Sequence, residues 1–313
     1  MKQNKTVSPV KRKKGLNARV RNTLEAYTFL LPFIIGITVF FAFPILVSVK
    51  LSFGTLVSME GFQIRWSGFS HYLNAFVLDA NFIPTFLTVV SKTLVYVPLI
   101  IIFSLILAIM LNKNIRFKGF FRVAMFLPFL LGSGYIMQLL NEQGITTGAL
   151  SLQDSPIFPK EFLTYMGPTV QKVIDSFFEV IVSVLWSSGV QILIFLSGLQ
   201  GISSSLYESA QVDGANEVEV FFKITLPMMA PIVTLNIIYT LVNLFTASDN
   251  AMLKYIQQKG FWQFEWEYVA ALGWLYFLFI LLLVALVMWS MNRLSGGSDM
   301  PRRHRLRERR KRG

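Results

Sequence analysis

Residues 268–292 read YVAALGWLYFLFILLLVALVMWSMN and contain no Asp, Glu, Lys, Arg or His. A helix of roughly 17–25 residues crosses the hydrocarbon core of a bilayer, so this run predicts a membrane-spanning helix. Five further runs lack charged side chains and histidine in the same way. Together the six runs are residues 28–49, 93–111, 123–141, 180–207, 225–248 and 268–292. The sequence therefore predicts an all-α integral membrane protein with six transmembrane helices.

The composition of the 313-residue chain agrees with this prediction. The mean hydropathy is +0.55, 54% of the residues are hydrophobic, and only 15% are charged. The chain has no cysteine and two histidines, so it cannot form a disulfide or a thiolate metal site. We therefore expect no metal site in this chain.

The distribution of positive charge predicts the orientation in the membrane. Of the 29 Lys and Arg residues, 22 lie in the two terminal segments or in the connections between runs 2 and 3 and between runs 4 and 5. The connections on the opposite side hold five, and the remaining two, Lys50 and Lys92, lie at the edges of spans. Because positive residues collect on the cytoplasmic side, both termini should face the cytoplasm. The net charge of +12 then reflects topology and contact with anionic lipid rather than nucleic-acid binding.

The chain divides into a basic N-terminal arm (1–27), a six-helix transmembrane domain (28–292) and a basic C-terminal tail (293–313). Within the domain, the loop 201–227 is long for a connection between helices, which usually takes about 2–8 residues. Ser205 with Glu208 and Asn216 with Glu219 each fit a capping box at a helix start. Gly214, between them, can adopt the positive φ that ends a helix. The loop is therefore predicted to be a cytoplasmic helix–turn–helix between the fourth and fifth spans.

The same loop carries a family resemblance. Residues 208–215 read ESAQVDGA, and ITLP follows at 224–227. This pattern resembles the E-A-A-x-x-D-G-A-x8-I-x-L-P signature of permease subunits of binding-protein-dependent ATP-binding-cassette (ABC) importers, with Ser209 where Ala is usual. WSSG at 186–189 and FLSGLQGI at 195–202 resemble the carbohydrate-uptake branch of that family. The first outward loop does so as well, through Trp66, Gly68, Tyr72 and Asp79.

The resemblance implies a coupling helix that docks on a cytosolic ATPase and transmits its closure to the membrane spans. The residues implied in this contact are Glu208, Ser209, Ala210, Asp213, Gly214 and Ala215. The implied partners are a second homologous permease subunit, two cytosolic ATPase subunits and an extracellular solute-binding protein. ATP and Mg²⁺ would be bound by the ATPase subunits, and this chain would hold no cofactor.

Polar side chains inside the spans are candidates for a solute path, because polar groups in lipid usually face a bundle interior or a cavity. Asn236, Asn243 and Asn250 recur every seven residues, which predicts one face of the fifth span. Gln191 in the fourth span and Tyr135 and Gln138 in the third complete the candidate set. The alternative is that these side chains only bond neighbouring helices.

Two other function classes were weighed. An ion-gradient-driven secondary transporter should carry ionisable residues in mid-span, and the six runs have none. A membrane enzyme would need a clustered nucleophile, base or metal site, which the sequence does not show. The chain also has no G-x-x-x-x-G-K-[ST] phosphate loop, so we do not expect it to hydrolyse ATP. The resemblance implies a permease subunit of a sugar or oligosaccharide importer, and this is the predicted function.

Overall fold

The computed structural model describes residues 18–58, 63–113, 116, 119–120, 123–124, 127 and 167–295. This part of the chain is mostly helical, which confirms the predicted helical class. The first span is one continuous helical rod, made of α1 (Ala18–Ile37), a π-helical turn (Thr38–Ala42) and α2 (Phe43–Ser52). Pro44 lies at the start of α2 and has no N–H to donate, which is consistent with the helix widening to a π turn just before it.

A small hairpin follows α2. Strands β1 (Gly54–Ser58) and β2 (Gln63–Trp66) pair antiparallel, with Gly54 opposite Trp66. A Cβ atom on Gly54 would lie 2.2 Å from the Ile64 side chain and 2.9 Å from the Arg65 carbonyl oxygen, so this position requires glycine. The end of the helical bundle that carries this hairpin is called the hairpin end below.

The second span is longer than its uncharged run. After α3 (Ser70–Leu73) and a π-helical turn (Asn74–Leu78), helix α4 extends over Phe82–Asn112, whereas the uncharged run covers only 93–111. Lys92 therefore lies inside the helix, and its ammonium group is 5.3 Å from the centre of the Tyr96 ring. This cation–π contact helps to explain how a lysine is accommodated there.

The fourth run, residues 180–207, is not one helix, which corrects the prediction. Helix α5 (Gly167–Ser187) and helix α6 (Gly189–Gln200) meet at an angle of 54° at Ser188, and a separate helix begins at Ser204. The residues at the bend and at the break before Ser204 are uncharged, so the absence of charge does not reveal where the helix is interrupted.

The rest of the described chain is also helical. Its elements are α7 (Ser204–Val212), α8 (Glu217–Val220), a π-helical turn (Phe221–Thr225), α9 (Leu226–Met228), α10 (Ala230–Thr246), α11 (Ala251–Gln257), a second π-helical turn (Gln258–Trp262) and α12 (Trp266–Ser295).

Four stretches of the described chain are long and apolar enough to cross a membrane, and the bent pair α5–α6 can supply a fifth. The four stretches are Tyr27–Ser52, Phe82–Asn112, Ala230–Trp262 and Trp266–Arg293. The predicted third span, residues 123–141, lies almost entirely outside the described residues. A multi-pass helical membrane protein is thus confirmed, and the count of six remains a prediction.

Helix α4 packs against α5, α6, α10 and α11 in the described bundle, and the rings of Phe86 and Phe279 join it to α12. Its buried face contributes Val97 and Ile101 to a core that also holds Phe195, Phe245 and Leu272. The opposite sides of these helices expose large apolar side chains, as expected for surfaces that face lipid. The contacts of α6 with α10 bring together the two helices that flank the 201–227 loop.

Candidate functional site: a helical loop and a buried polar cluster

Helix α7 opens the 201–227 loop. Its N-cap is Ser203, whose side chain does not cap the helix; its hydroxyl lies 2.8 Å from that of Ser205 instead. Ser205 is already inside the helix, so the capping box predicted from Ser205 and Glu208 does not form. The helix therefore begins two residues before the position that the pattern indicated.

The turn that ends α7 depends on Gly214, which has φ +79°. The Gly214 N–H donates to the Gln211 carbonyl oxygen at 3.1 Å, and the Ala215 N–H donates to the Ala210 carbonyl oxygen at 2.9 Å. These two bonds form a Schellman motif, which satisfies carbonyl groups that the helix end would otherwise leave free. Gly214 was predicted to take this backbone conformation, and the geometry confirms it.

Helix α8 begins with a capping box, as predicted from Asn216 and Glu219. The Asn216 side chain accepts from the Glu219 N–H at 2.8 Å, and the Glu219 carboxylate accepts from the Asn216 N–H at 3.2 Å. Lys223 donates to the same carboxylate at 3.1 Å. The hydrogen bond from Lys223, the bond from the Asn216 backbone and the charge of Lys223 together lower the pKa of Glu219. The turn between the helices is therefore held by local bonds on both sides.

The predicted coupling residues share the exposed surface of this loop, with one exception. Ala210, which belongs to α7, is buried. The exposed residues are Glu208, Ser209, Asp213 and Gly214, and Ala215 is half-buried. Among the described residues, the carboxylates of Glu208 and Asp213 make no hydrogen bond or ion pair. Val212, between them, is 88% exposed. The surface of the loop therefore carries two unpaired carboxylates and the apolar side chain of Val212, next to a turn formed by glycine.

Two contacts hold the loop against the bundle. The Tyr207 and Thr225 hydroxyl groups lie 3.2 Å apart and join α7 to the π-helical turn that precedes α9. Lys113, just after α4, forms a 3.3 Å ion pair with Glu217 of α8. Both side chains of this pair are largely exposed, so the pair adds little stability.

A fully buried polar cluster joins α6 to α10. It consists of Gln191, Asn236 and Thr240, and is called the Gln191 cluster below. The Gln191 Nε2 donates to the Thr240 hydroxyl at 3.2 Å, and the Asn236 Nδ2 donates to the Gln191 backbone carbonyl at 3.0 Å. The Thr240 hydroxyl donates its only proton to the Asn236 backbone carbonyl oxygen at 2.8 Å, so this hydroxyl can only accept from Gln191. Gln191 must therefore present its NH₂ group to Thr240.

That orientation leaves two acceptors of the cluster unfilled. Gln191 Oε1 and Asn236 Oδ1 are buried and accept no hydrogen bond among the described residues. A buried polar atom without a partner costs about 1–3 kcal/mol. These oxygens can therefore accept a hydrogen bond from the hydroxyl group of a water molecule or a solute that reaches them.

The three asparagines do not share one helical face, which corrects the prediction. Helix α10 ends at Thr246, and Asn250 is the N-cap of α11. Its Oδ1 accepts from the Met252 and Leu253 N–H groups, and its Nδ2 donates to the Leu244 carbonyl at 3.0 Å. The seven-residue spacing continues past the end of α10, because the spacing of asparagines carries no information on where a helix ends.

Asn243 differs from its two neighbours in the series. It is half-buried on α10, and its side chain makes no hydrogen bond with the described residues. The other candidates, Tyr135 and Gln138, lie outside the described residues. No group of three or more His, Asp or Glu side chains in the described chain has the arrangement of a metal site.

A second polar network, which no sequence pattern predicted, lies at the hairpin end. Asp79 accepts 2.5 Å hydrogen bonds from the hydroxyl groups of Tyr255 and Tyr268, and Lys259 lies 5.6 Å from the centre of the Tyr268 ring. Burial alone would raise the pKa of Asp79, but the bonds from both tyrosines and from the Asn81 N–H, with the charge of Lys259, lower it. Asp79 was noted only as a loop residue, and no local pattern links it to tyrosines so distant in sequence.

Comparisons with known proteins are consistent with this architecture. The sequence model of the family described as binding-protein-dependent transport system inner membrane component matches residues 81–297. The Bacillus subtilis probable ABC transporter permease protein YesP is 28% identical over 87% of this chain and 91% of its own length. The B. subtilis arabinooligosaccharides transport system permease protein AraP is 29% identical, over 83% of this chain and 86% of its own length.

A third relative, the multiple sugar-binding transport system permease protein MsmF of Streptococcus mutans serotype c, is 31% identical over 74% of this chain and 78% of its own length. Among solved structures, a chain of the bacterial alginate ABC transporter in complex with an alginate pentasaccharide-bound periplasmic protein superposes with a TM-score of 0.66. It is 19% identical, and the match covers 88% of this chain and 97% of that chain. At that identity the likeness establishes the fold.

Proposed function

The chain belongs to the family of inner membrane components of binding-protein-dependent transport systems and is the permease subunit of an ABC importer; from this premise we propose that its solute is a sugar or oligosaccharide. The transport systems of AraP and MsmF are named for arabinooligosaccharides and for multiple sugars, which supports this solute class. The ion-gradient-driven alternative is not favoured by these relatives.

The proposed coupling to the ATPase rests on the turn at the end of α7, which has two acidic side chains beside it. Glu208 and Asp213 are exposed and unpaired in the described chain, and carboxylates form strong charged hydrogen bonds with basic partners. Gly214 has no atom within 4 Å of where its Cβ would lie, so a partner surface can approach the turn closely. The proposed contact with the ATPase uses Glu208, Ser209, Asp213, Gly214 and Ala215, whereas Ala210 is buried and would support this surface from within.

The proposed assembly has six spans per permease, two permease subunits, two cytosolic ATPase subunits and an extracellular solute-binding protein. ATP and Mg²⁺ would bind to the ATPase subunits. The charge asymmetry supports an orientation with both termini and the 201–227 loop in the cytoplasm of a bacterial inner membrane. The hairpin end would then face the binding protein.

The proposed solute path runs along α10. Asn243 is its strongest candidate, because its amide is half-buried and makes no bond with the described residues. Gln191 and Asn236 would contribute their unfilled acceptor oxygens where a solute reaches the cluster. Tyr135 and Gln138 stay in the proposal on sequence grounds alone. Asn250 is left out, because its side chain already bonds three backbone groups.

The test is purification of the affinity-tagged chain, in mild detergent, from the membranes of its own organism. We expect an ATPase subunit and a second permease chain to co-purify, and ATP hydrolysis to rise when a binding protein and an oligosaccharide are added. Uptake that continues after ATP depletion, but stops when the ion gradient is dissipated, would contradict the proposal. Stimulation by amino acids rather than oligosaccharides would contradict the solute class alone.

A further inference from the structure

The break in the fourth span has its own stabilising contacts. At Ser188 the backbone N–H donates to the Leu185 carbonyl at 3.4 Å, three residues back rather than four. The Ser188 hydroxyl, which is fully buried, donates to the Val184 carbonyl, which α5 would otherwise leave without a helical partner. Ser–Gly pairs are a recognised cause of sharp bends, and Gly189 follows directly. The hydrogen bonds of Ser188 and the following glycine therefore stabilise the 54° bend.

The two halves of this span belong to different hydrophobic clusters. Ile192, Phe195 and Leu199 of α6 lie in the main core with residues of α10 and α12. Val184 of α5 lies in a separate small cluster with Tyr96 and Ile100 of α4. Helix α4 packs against both halves, and Leu244 of α10 also packs against the small cluster. The helix-to-helix packing of α10 is nevertheless more extensive with α6 than with α5.

Helices α6 and α10 are held together at two places along their length. The Gln191 cluster joins them near the break. Close to the 201–227 loop, a Cβ atom on Gly198 would lie 2.9 Å from the Ile232 side chain and 3.0 Å from the Met229 sulfur, so the two helices are in close contact there. The Tyr207–Thr225 contact joins the loop itself across its two arms.

We propose that α6, the 201–227 loop and α10 move as one unit during transport, that Ser188 is the hinge between this unit and α5, and that Thr240 and Gln191 are the positioning residues that keep the unit together. This inference rests on the proposed function, because it assigns a path for the movement of the coupling loop. It adds that the fourth span is not rigid, and that the loop's displacement reaches the membrane interior only as far as Ser188.

Distance measurements between spin labels test the hinge in the complete transporter. The chain has no native cysteine, so labels can be placed at Leu193 on α6, Leu235 on α10 and Ile181 on α5, which are all exposed. Between the nucleotide-free and ATP-trapped states, we expect the 193–235 distance to stay constant and the 181–193 distance to change. A 193–235 distance that changes as much as the 181–193 distance overturns the inference, as does a constant 181–193 distance in a transporter that is active.

A substitution tests the role of the Gln191 cluster. Thr240→Val removes the hydroxyl that accepts from Gln191, whereas Thr240→Ser retains it. Thr234→Val is the matched control, because the Thr234 hydroxyl only donates to Ala230 of its own helix, at 2.8 Å. We expect Thr240→Val to broaden the 193–235 distance distribution and to raise the ATP hydrolysed per solute imported about threefold or more, the factor that the loss of one interhelical hydrogen bond permits.

The ratio of hydrolysis to import separates positioning from folding. A purely structural defect would lower the amount of transporter but leave this ratio unchanged, and that outcome in Thr240→Val would overturn the role of the cluster. A wild-type complex in which ATP changes neither labelled distance and the solute does not stimulate hydrolysis would contradict the proposed function itself, and the inference with it.

Discussion

The Tyr268 hydroxyl donates a 2.5 Å hydrogen bond to Oδ2 of Asp79, across 189 positions of sequence. Tyr255 donates to the same oxygen, while the other oxygen of Asp79 accepts from the N–H groups of Asn81 and Phe82 at the start of α4. One carboxylate therefore fixes the beginning of α4 to α11 and α12. This arrangement holds the hairpin end, where we propose that the binding protein docks.

Asp79→Asn should destabilise the protein, because an amide nitrogen cannot accept from either the tyrosines or the helix N–H groups. We expect a loss of about 1.5–3 kcal/mol, the range for hydrogen bonds to a charged group. Thermal unfolding in detergent measures it. Asp249→Asn is the control, since Asp249 is exposed and its carboxylate makes no bond with the described residues. Equal melting temperatures for the two variants would contradict the role of Asp79.

The same carboxylate predicts a pH dependence. Because the pKa of Asp79 is lowered in the folded protein, its contribution to stability is fully present above the ordinary value of 3.8 and is lost as the pH falls through the lowered pKa. The difference in melting temperature between wild type and Asp79→Asn should therefore shrink only in strong acid. Melting curves recorded between about pH 6 and about pH 2 test this. A difference that disappears already near neutral pH would contradict it.

Gly214→Val should leave the protein inserted but abolish solute-stimulated ATP hydrolysis or the binding of the ATPase. A β-branched residue resists φ +79°, and its side chain would occupy the surface where the partner docks. Gly214→Asn is the informative control, because asparagine tolerates positive φ but still adds a side chain. Loss in both variants indicates blocked docking, and loss in valine alone indicates a distorted turn. Normal stimulation in both would contradict the coupling role.

Asn243→Leu and Asn236→Leu should have different effects. Asn243 makes no bond with the described residues, so its loss should reduce uptake while the melting temperature stays near that of the wild type. Asn236 is fully buried and bonds Gln191, so its replacement should lower stability, by about 0.6–2 kcal/mol for an interhelical bond in a membrane. Uptake and melting temperature are measured on the same samples. If uptake by Asn243→Leu falls only in proportion to protein lost, the solute path does not include Asn243.

Single cysteines test the orientation. Gln63 in β2 and Gln211 in α7 are both exposed, and the chain has no native cysteine. On intact cells an impermeant thiol reagent should label Gln63→Cys and not Gln211→Cys, whereas both should react after the cells are permeabilised. The reverse pattern would overturn the assigned orientation and the location of the coupling loop.

Local patterns predicted the features that depend only on nearby residues. The capping box of Asn216 with Glu219 and the positive φ of Gly214 were both correct, since each bond involved joins residues a few positions apart. The capping box of Ser205 with Glu208 was wrong, because Ser203 has the extended backbone of an N-cap and Ser205 does not. Three serines in a row are all suitable N-cap residues, and the backbone geometry selects Ser203 although only Ser205 has a glutamate three positions later.

The sequence by itself determined that this chain is a helical membrane protein and a member of its family, because the absence of charge over bilayer-length runs and a short signature loop are both local properties. Only the tertiary structure decided that the fourth span bends at Ser188, that Asn250 caps a new helix, and that Asp79 joins Tyr255 and Tyr268. The physical reason is that uncharged serine, glycine and asparagine satisfy a hydropathy pattern whether they continue a helix or end it. The outcome depends on hydrogen-bond partners from other helices, whose positions along the chain no local pattern specifies.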